Sequence, residues 1–440
     1  MWMKIYAYPS KSAERKLAAI VNRGLSFRKK DVSAVTRILE DVRKNGDRAL
    51  IKYVNQFDAP KMKIEQLAVT EAEFKDAARR VDASFRRAMN RAASQIESFH
   101  RLQLPKSWIQ ADRPGTLVGQ IVNPVQAAGV YVPGGKGGTT PLVSSVLMGG
   151  IPAKIAGVAR IVMVTPPTSD GRVNPHLLVA ARKAGVTEVY KIGSAWAIAA
   201  LTYGTETVKG VDVIVGPGNL YVTLAKKIVA GTVGIDMVAG PSEILVVADK
   251  SADPRYVAAD LLAQAEHDVL ASAVLITDSR ETAAGVVQAL DTQLQVLERR
   301  EIAAASLADY GAILVVDDLD VAVELANRIA PEHLELQVQE PFAYLGRVRN
   351  AGAVFLGAHT PEPVGDYVAG PNHVLPTAGT ARFSSALSVE NFIKKTSVIH
   401  YSEAAFKKEA ADIVRLANTE GLTAHANAVK IRSTSDRRRK

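Results

Sequence analysis

Two different periods of apolar and polar positions run along this chain, and they change over near residue 125. Before it the helical period dominates. In "DVSAVTRILEDVRKNGDRALIKYVNQF", residues 31–57, apolar positions recur at three and four spacing, Asp31 stands in N-cap position and Gly46 interrupts the run. This predicts a mostly helical lead-in with a polar outer face. From Gly129 short Val/Ile-rich runs alternate with Ala-rich helical stretches. "GVYV", "RIVMVT", "EVYKIG" and "DVIVG" read as strands, separated by helices near 141–157, 174–184, 195–203 and 219–230. A second set follows: "EILVVAD", "SAVLITD", "AILVVDD" and "AGAVFLG" as strands, with helices near 254–265, 279–299 and 319–329. Strands joined by helical crossovers build parallel sheets. The expected fold class is α/β, two Rossmann-like parallel-sheet domains with small helical N- and C-terminal extensions; pattern does not encode strand order. After about Ser388 the pattern returns to helix, and that piece is short for a core of its own. It is expected to pack on something else, a second copy of the chain being one choice.

Composition narrows the classes. At 440 residues, 48% hydrophobic and 22% charged, the chain has the balance of a globular protein of two or more domains. No run reaches eighteen apolar residues, and "MWMKIYAYPSKSAERK" lacks a secretory apolar core, so a cytoplasmic protein with no membrane span is expected. There are no cysteines, which excludes disulfides, thiolate nucleophiles and cysteine-held metals; any metal must use His, Asp, Glu or an amide oxygen. The +9 charge is spread along the chain and part of it sits in the final "DRRRK". With no nucleic-acid motif carrying interleaved aromatics, no nucleic-acid partner is expected.

Several polar clusters interrupt the apolar grammar. "LLAQAEHD", residues 261–268, sets Gln264 and His267 three apart, one face of a helix and the spacing of a metal half-site, or else a solvated helix end. "YVPGGKGGTTP", residues 131–141, lies between strand and helix, where backbone N–H groups receive phosphate, but it matches neither the P-loop nor G-x-G-x-x-G. In "GPGN", Asn219 caps the next helix or bonds a ligand. In "GPSE", Ser242 lacks the frame of a nucleophile elbow and reads as a ligand contact or a plain turn. "APEHLEL" sets Glu332 beside His333, two bases suited to a reaction with two deprotonations, or a solvated surface pair. "PVGDYVAGPNHVLPT" holds Asp366 and His373, and "NTEGLTAHANAV" holds Glu420 and His425. Gln264, His267, Asp366 and His425 together offer a nitrogen and oxygen shell for zinc, manganese or cobalt; spacing leaves open whether they meet.

These segments, in this order and with "SSVLMGGIPAKIAGV", "GIDMVAGPSE" and "GPNHVLPTAGTARFSSALSV" between them, closely resemble the histidinol dehydrogenase family over nearly the whole length. The resemblance implies oxidation of L-histidinol through L-histidinal to L-histidine with two NAD, in the last steps of histidine biosynthesis. It implies one zinc per subunit, held by Gln264, His267 and Asp366 with His425 from the neighbouring subunit, hence a homodimer with shared sites. It assigns His333 as base for the alcohol and Glu332 as activator of water. Substrate contacts fall on Ser242, Gln264, His267, His333, Asp366, Glu420 and His425. His373 is implied as a supporting residue.

The same resemblance divides the chain into an extension, 1–25; a first α/β domain, 26–130 with 242–387, carrying metal and bases; a second Rossmann-like domain, 131–241; and a helical extension, 388–440, that completes the neighbour's site. NAD contacts fall on Tyr131 and Asn219, but Trp196 stands where glutamine is expected and offers stacking in place of a hydrogen bond. The glycine-rich loop is also a few residues longer than in the family. Both departures lie on the cofactor side. The alternative on the same fold is an NAD-dependent dehydrogenase of another small alcohol.

Overall fold

The computed structural model describes residues 2–22, 27–134 and 140–433; residues 135–139 of the glycine-rich segment lie outside them. The chain divides into two units, Met1–Gln103 with Val125–Phe392, and Leu104–Pro124 with Ile393–Lys440.

The first unit contains two parallel sheets, as the strand–helix alternation predicts. The smaller has the spatial order Glu188–Lys191, Arg160–Thr165, Ala127–Tyr131, Val213–Val215, Gly234–Ile235. Numbered along the chain from Ala127–Tyr131, that is 3-2-1-4-5. The larger runs Ile5–Ala7, Ala312–Val315, Ser272–Thr277, Glu243–Ala248, His333–Gln337, Ala353–Leu356, the same order with one N-terminal strand added at its edge. A 3-2-1-4-5 order reverses direction between strands 1 and 4, the switch point where open α/β sheets leave a crevice. Every residue of Glu243–Ala248 and Ser272–Thr277 is buried. Helices cover both faces, which is why these strands read as unbroken apolar runs.

The long helix Lys29–Phe57 is broken at Gly46 (φ 50°, ψ −133°), as its sequence predicts. The Glu206 carboxylate accepts from the Asp47 N–H there, at 2.9 Å. Asp31 is not the N-cap: the helix begins two residues earlier, and Asp31 in its first turn pairs with Arg28 at 2.7 Å. A carboxylate in the first turn suits the helix dipole as well as a cap does. Val35, Leu39, Val42, Leu50 and Val54 on this helix join the core of the smaller sheet with Val162, Ile198 and Leu201. The sequence division places this helix with the larger-sheet domain; its apolar stripe is instead taken up by the Ala-rich helix Ser194–Tyr203 of the smaller one.

The second unit departs from the helical expectation at both of its segments. Thr116–Pro124 pairs antiparallel with Ile393–Tyr401 over nine residues, and Trp108–Gln110 adds a third strand. The helices Glu403–Thr419 and Thr423–Ser433 follow. No helix among the described residues is long and apolar enough to cross a membrane.

Candidate active site

At the switch point of the larger sheet, strands Glu243–Ala248 and His333–Gln337 lie side by side with His333 opposite Ile244. Their amino ends carry the chemistry. The His333 Nδ1 lies 2.9 Å from the Glu243 carbonyl oxygen, which only accepts, so Nδ1 carries the proton and Nε2 the lone pair. The Glu332 Oε2 accepts from the Glu243 N–H at 2.9 Å. One strand end thus orients both bases through its backbone. They are not a solvated surface pair: Glu332 is 6% exposed and His333 4%.

Burial sets their protonation. It drives His333 down to about 4, against the upward pull of the Asp366 charge and the Glu243 carbonyl, so the ring is neutral near pH 7. Burial pushes Glu332 well above the usual carboxylate range, with the Glu243 N–H opposing and the Glu243, Asp366 and Glu362 charges adding to it. A neutral imidazole and a strongly basic carboxyl therefore meet at one strand end, His333 Nδ1 3.8 Å from Glu332 Oε2.

The helix Glu362–Tyr367 brings two carboxyls to the same place. His333, Glu362 and Asp366 have potential metal-ligating atoms all within 4.8 Å of one another. The His333 Nε2 lies 4.0 Å from the Glu362 Oε1. Burial first, then the Asp366 charge, raises Glu362 to about 8. Sequence reasoning singled out Asp366 and missed Glu362. The four-residue spacing in "EPVGD" was the available signal, since positions i and i+4 share a helix face. His373 returns to the group, its Nδ1 3.8 Å from the Asp366 Oδ1. Its Nε2 is buried without a hydrogen-bond partner, and burial lowers its pKa. His333, Phe355, Asp366, Asn372 and His373 are among the residues lining a cavity of about 120 Å³.

Gln264 and His267 meet as their spacing suggests, but not on one helix. The helix Pro254–Ala265 ends between them, and a turn closed by the His267 N–H on the Gln264 carbonyl brings His267 Nδ1 to 3.2 Å from Gln264 Nε2. Gln264 is fully buried and its Oε1 has no partner, whereas His267 is exposed. Ser242 precedes Glu243, and its carbonyl accepts from Ser272 N–H. Glu420 caps the helix Glu403–Thr419, and His425 is exposed on the next helix, both in the second unit.

In the smaller sheet the candidates sit at carboxyl ends of the strands. Tyr131 ends strand 1, and its hydroxyl accepts from the Ser194 N–H at 3.1 Å. Gly216–Asn219 follows strand 4. Gly216 holds φ +113°, and a side chain there would collide with the Tyr131 carbonyl. Asn219 caps Leu220–Val229 by accepting from Tyr221 and Val222 N–H, while remaining exposed. The buried Lys226 pairs with Asp236 and donates to the Gly216 carbonyl at 2.9 Å; Asp236 accepts from Gly216 N–H at 2.8 Å. Trp196 lies in the core in a near-parallel cluster with Tyr53 (5.6 Å, 16°) and Phe57 (5.5 Å, 21°), which are 6.5 Å from one another. The indole offered to a cofactor by the sequence is thus 5% exposed, with two aromatic rings beside it.

A twice-built doubly wound fold with a neutral histidine and a basic glutamate buried at the amino ends of two central strands defines the class, an α/β enzyme equipped for proton transfer. A family model described as histidinol dehydrogenase matches residues 22–433. The histidinol dehydrogenase of Desulfotalea psychrophila is 56% identical over 400 residues, covering 91% of this chain and 92% of the relative. That of Carboxydothermus hydrogenoformans is 54% identical, covering 91% and 94%. A crystal structure of histidinol dehydrogenase from Elizabethkingia anophelis aligns with TM-score 0.92 at 37% identity, over 99% of this chain and 98% of that one. The chain belongs to the histidinol dehydrogenase family, and it is a dehydrogenase of histidine biosynthesis.

Proposed function

We propose that this chain oxidises L-histidinol to L-histidine through L-histidinal, with two NAD and one water consumed. The observation that carries the reading is His333: its Nδ1 is committed to the Glu243 carbonyl, so Nε2 presents a lone pair beside Asp366. In the first oxidation His333 takes the alcohol proton at Nε2 as the hydride leaves carbon. In the second, Glu332 takes a proton from water as that water adds to the aldehyde, and the hydrate loses the second hydride. Bound NAD supplies the hydride acceptor, and the turn at Gly216–Asn219 with Tyr131, at the switch point of the smaller sheet, is the ligand crevice assigned to it. Enclosure of both bases keeps the aldehyde from bulk water between the two oxidations.

The donors fit a zinc ion. Gln264 Oε1 is a buried oxygen with no donor, His267 adjoins it, and the chain holds no thiolate to compete. Gln264, His267 and Asp366, with His425 from a second copy, would hold the metal, whose contribution is to orient the substrate. Ser242 and Glu420 are assigned to the substrate, and a cytoplasmic homodimer with shared sites is the corresponding assembly, the segment 388–440 completing the neighbour's site.

NADH formation from L-histidinol tests this, with NAD and NADP compared, before and after chelation and zinc readdition. Two NADH per histidine, lost on chelation and restored by zinc, is the expected result. Equal turnover of unrelated small alcohols would refute the substrate.

A further inference from the structure

Behind the site lies a buried polar layer that the proton transfers above do not use. Asp260, Glu335 and Gln337 are 8%, 1% and 3% exposed. Gln337 Nε2 donates to Asp260 Oδ2 at 2.7 Å and to Glu335 Oε2 at 2.8 Å, and Glu335 Oε1 accepts from the Glu362 N–H at 2.9 Å. One amide nitrogen thus bridges the Asp260 and Glu335 carboxyls. Burial raises both pKa values.

The placement of these residues follows the repeat of each element. Asp260 lies four residues before Gln264 on one helix, one turn back on the same face. Glu335 lies two residues after His333 on one strand, again on the same face. Glu362, whose N–H is held, lies four residues before Asp366 on a third element. Three elements that each carry a site residue are thus joined one layer behind it. Stability alone does not account for two carboxyls there, since apolar side chains of similar volume are often as stable or more so in a core.

We propose that Asp260, Glu335 and Gln337 are positioning residues that lock the helix Pro254–Ala265, the strand His333–Gln337 and the helix Glu362–Tyr367 in one register, and so hold Gln264, His333 and Asp366 at the site. This rests on the assignment of those three residues made above. The coupling runs through hydrogen bonds between elements, so zinc affinity and kcat of variants that remain folded read it, alongside whatever stability those bonds contribute.

The test compares the full-length wild type with Glu335→Gln, Glu335→Leu and Asp260→Leu/Glu335→Leu. Each is measured for zinc affinity by chelator competition, for melting temperature without zinc, and for kcat and KM with the alcohol. The double variant replaces the pair with apolar volume and is the decisive one if Glu335→Leu fails to fold. It leaves the buried Gln337 amide and the Glu362 N–H without acceptors, so it is expected to melt below the wild type while staying folded at the assay temperature, and to bind zinc about 10–100-fold more weakly, the usual effect of losing outer support of a metal ligand. Glu335→Gln, which keeps an acceptor for the Glu362 N–H, is expected to recover most of that affinity. A folded double variant with wild-type zinc affinity and wild-type kcat overturns the proposal. If the wild type itself binds no zinc, the metal reading fails separately, and the network is decided by kcat for the alcohol, which the double variant must then lower at least about tenfold.

Discussion

The two buried bases should give the two half-reactions different pH limits. Burial holds His333 near 4 in place of its ordinary 6.5. At pH 5 an imidazole with pKa about 4 is still roughly 90% neutral, whereas one at 6.5 is only about 3% neutral. Between pH 8 and pH 5 the alcohol oxidation should therefore lose less than about twofold through this base, against about thirtyfold for an unperturbed histidine. A zinc ion nearby acts in the same direction, since a further positive charge disfavours the imidazolium. Glu332 is shifted the opposite way, well above the carboxylate range, and must be ionised to activate water. Oxidation of supplied L-histidinal should then begin to fall at a higher pH than oxidation of the alcohol.

Single-turnover NADH formation from L-histidinol and from L-histidinal, at half-unit pH steps, reads the two limits apart. Zinc content is measured at each pH, because protonation of ligands releases metal. His333→Asn should slow the alcohol step by about 10²–10⁴-fold, and Glu332→Gln should slow the aldehyde step by a similar factor. An alcohol step that falls with an apparent pKa near 6.5 while zinc stays bound would refute the reasoning. So would equal losses in both half-reactions from either substitution.

Three further outcomes concern the smaller sheet. Asp58, beside the Trp196 indole, is raised by burial from 3.8 to about 7. The native state therefore holds its proton more tightly, and this stabilisation, complete below pH 3.8, is lost as the pH rises to 7, a difference on the order of 4 kcal/mol. Asp58→Asn should remove that slope in urea denaturation and gain on the wild type from pH 5 to pH 8. Lys226→Met strands the buried Asp236 and should cost about 3–5 kcal/mol by the same assay, while raising KM for NAD more than KM for the alcohol. Trp196→Ala leaves a cavity beside Tyr53 and Phe57 and should cost about 3–5 kcal/mol with KM for NAD changed less than about twofold. A large rise in that KM with stability intact would return Trp196 to the cofactor.

What the sequence disclosed and what it concealed separate by range of interaction. Helix and strand periods are local, so Pro254–Ala265 and Leu319–Ile329 fall where the pattern puts them. The motifs that carry His333, Asp366 and His373 are local too, and those three residues meet at one cavity. Pairing is not local. Ile393–Tyr401 became a strand because Thr116–Pro124, far back in the chain, offers it nine partners, and no window around either segment contains the other. Trp196 reads as an open aromatic until the helix Lys29–Phe57 delivers Tyr53 and Phe57 to it. The same limit hid Glu362, whose chemistry depends on a strand about thirty residues upstream. It also hid the asymmetry between the sheets. Both have the order 3-2-1-4-5, and in such sheets ligands gather at the carboxyl ends beside the switch point. The smaller sheet follows that rule with Tyr131 and Gly216–Asn219, whereas the larger places His333 and Glu332 at the amino ends of its switch strands. On the function proposed above, a duplicated fold with its candidate sites at opposite strand ends gives the two copies different work. The copy that keeps the usual crevice is suited to a dinucleotide. In the other, the Glu243 backbone fixes the two bases, and Asp260, Glu335 and Gln337 link their strand to the helices on either side.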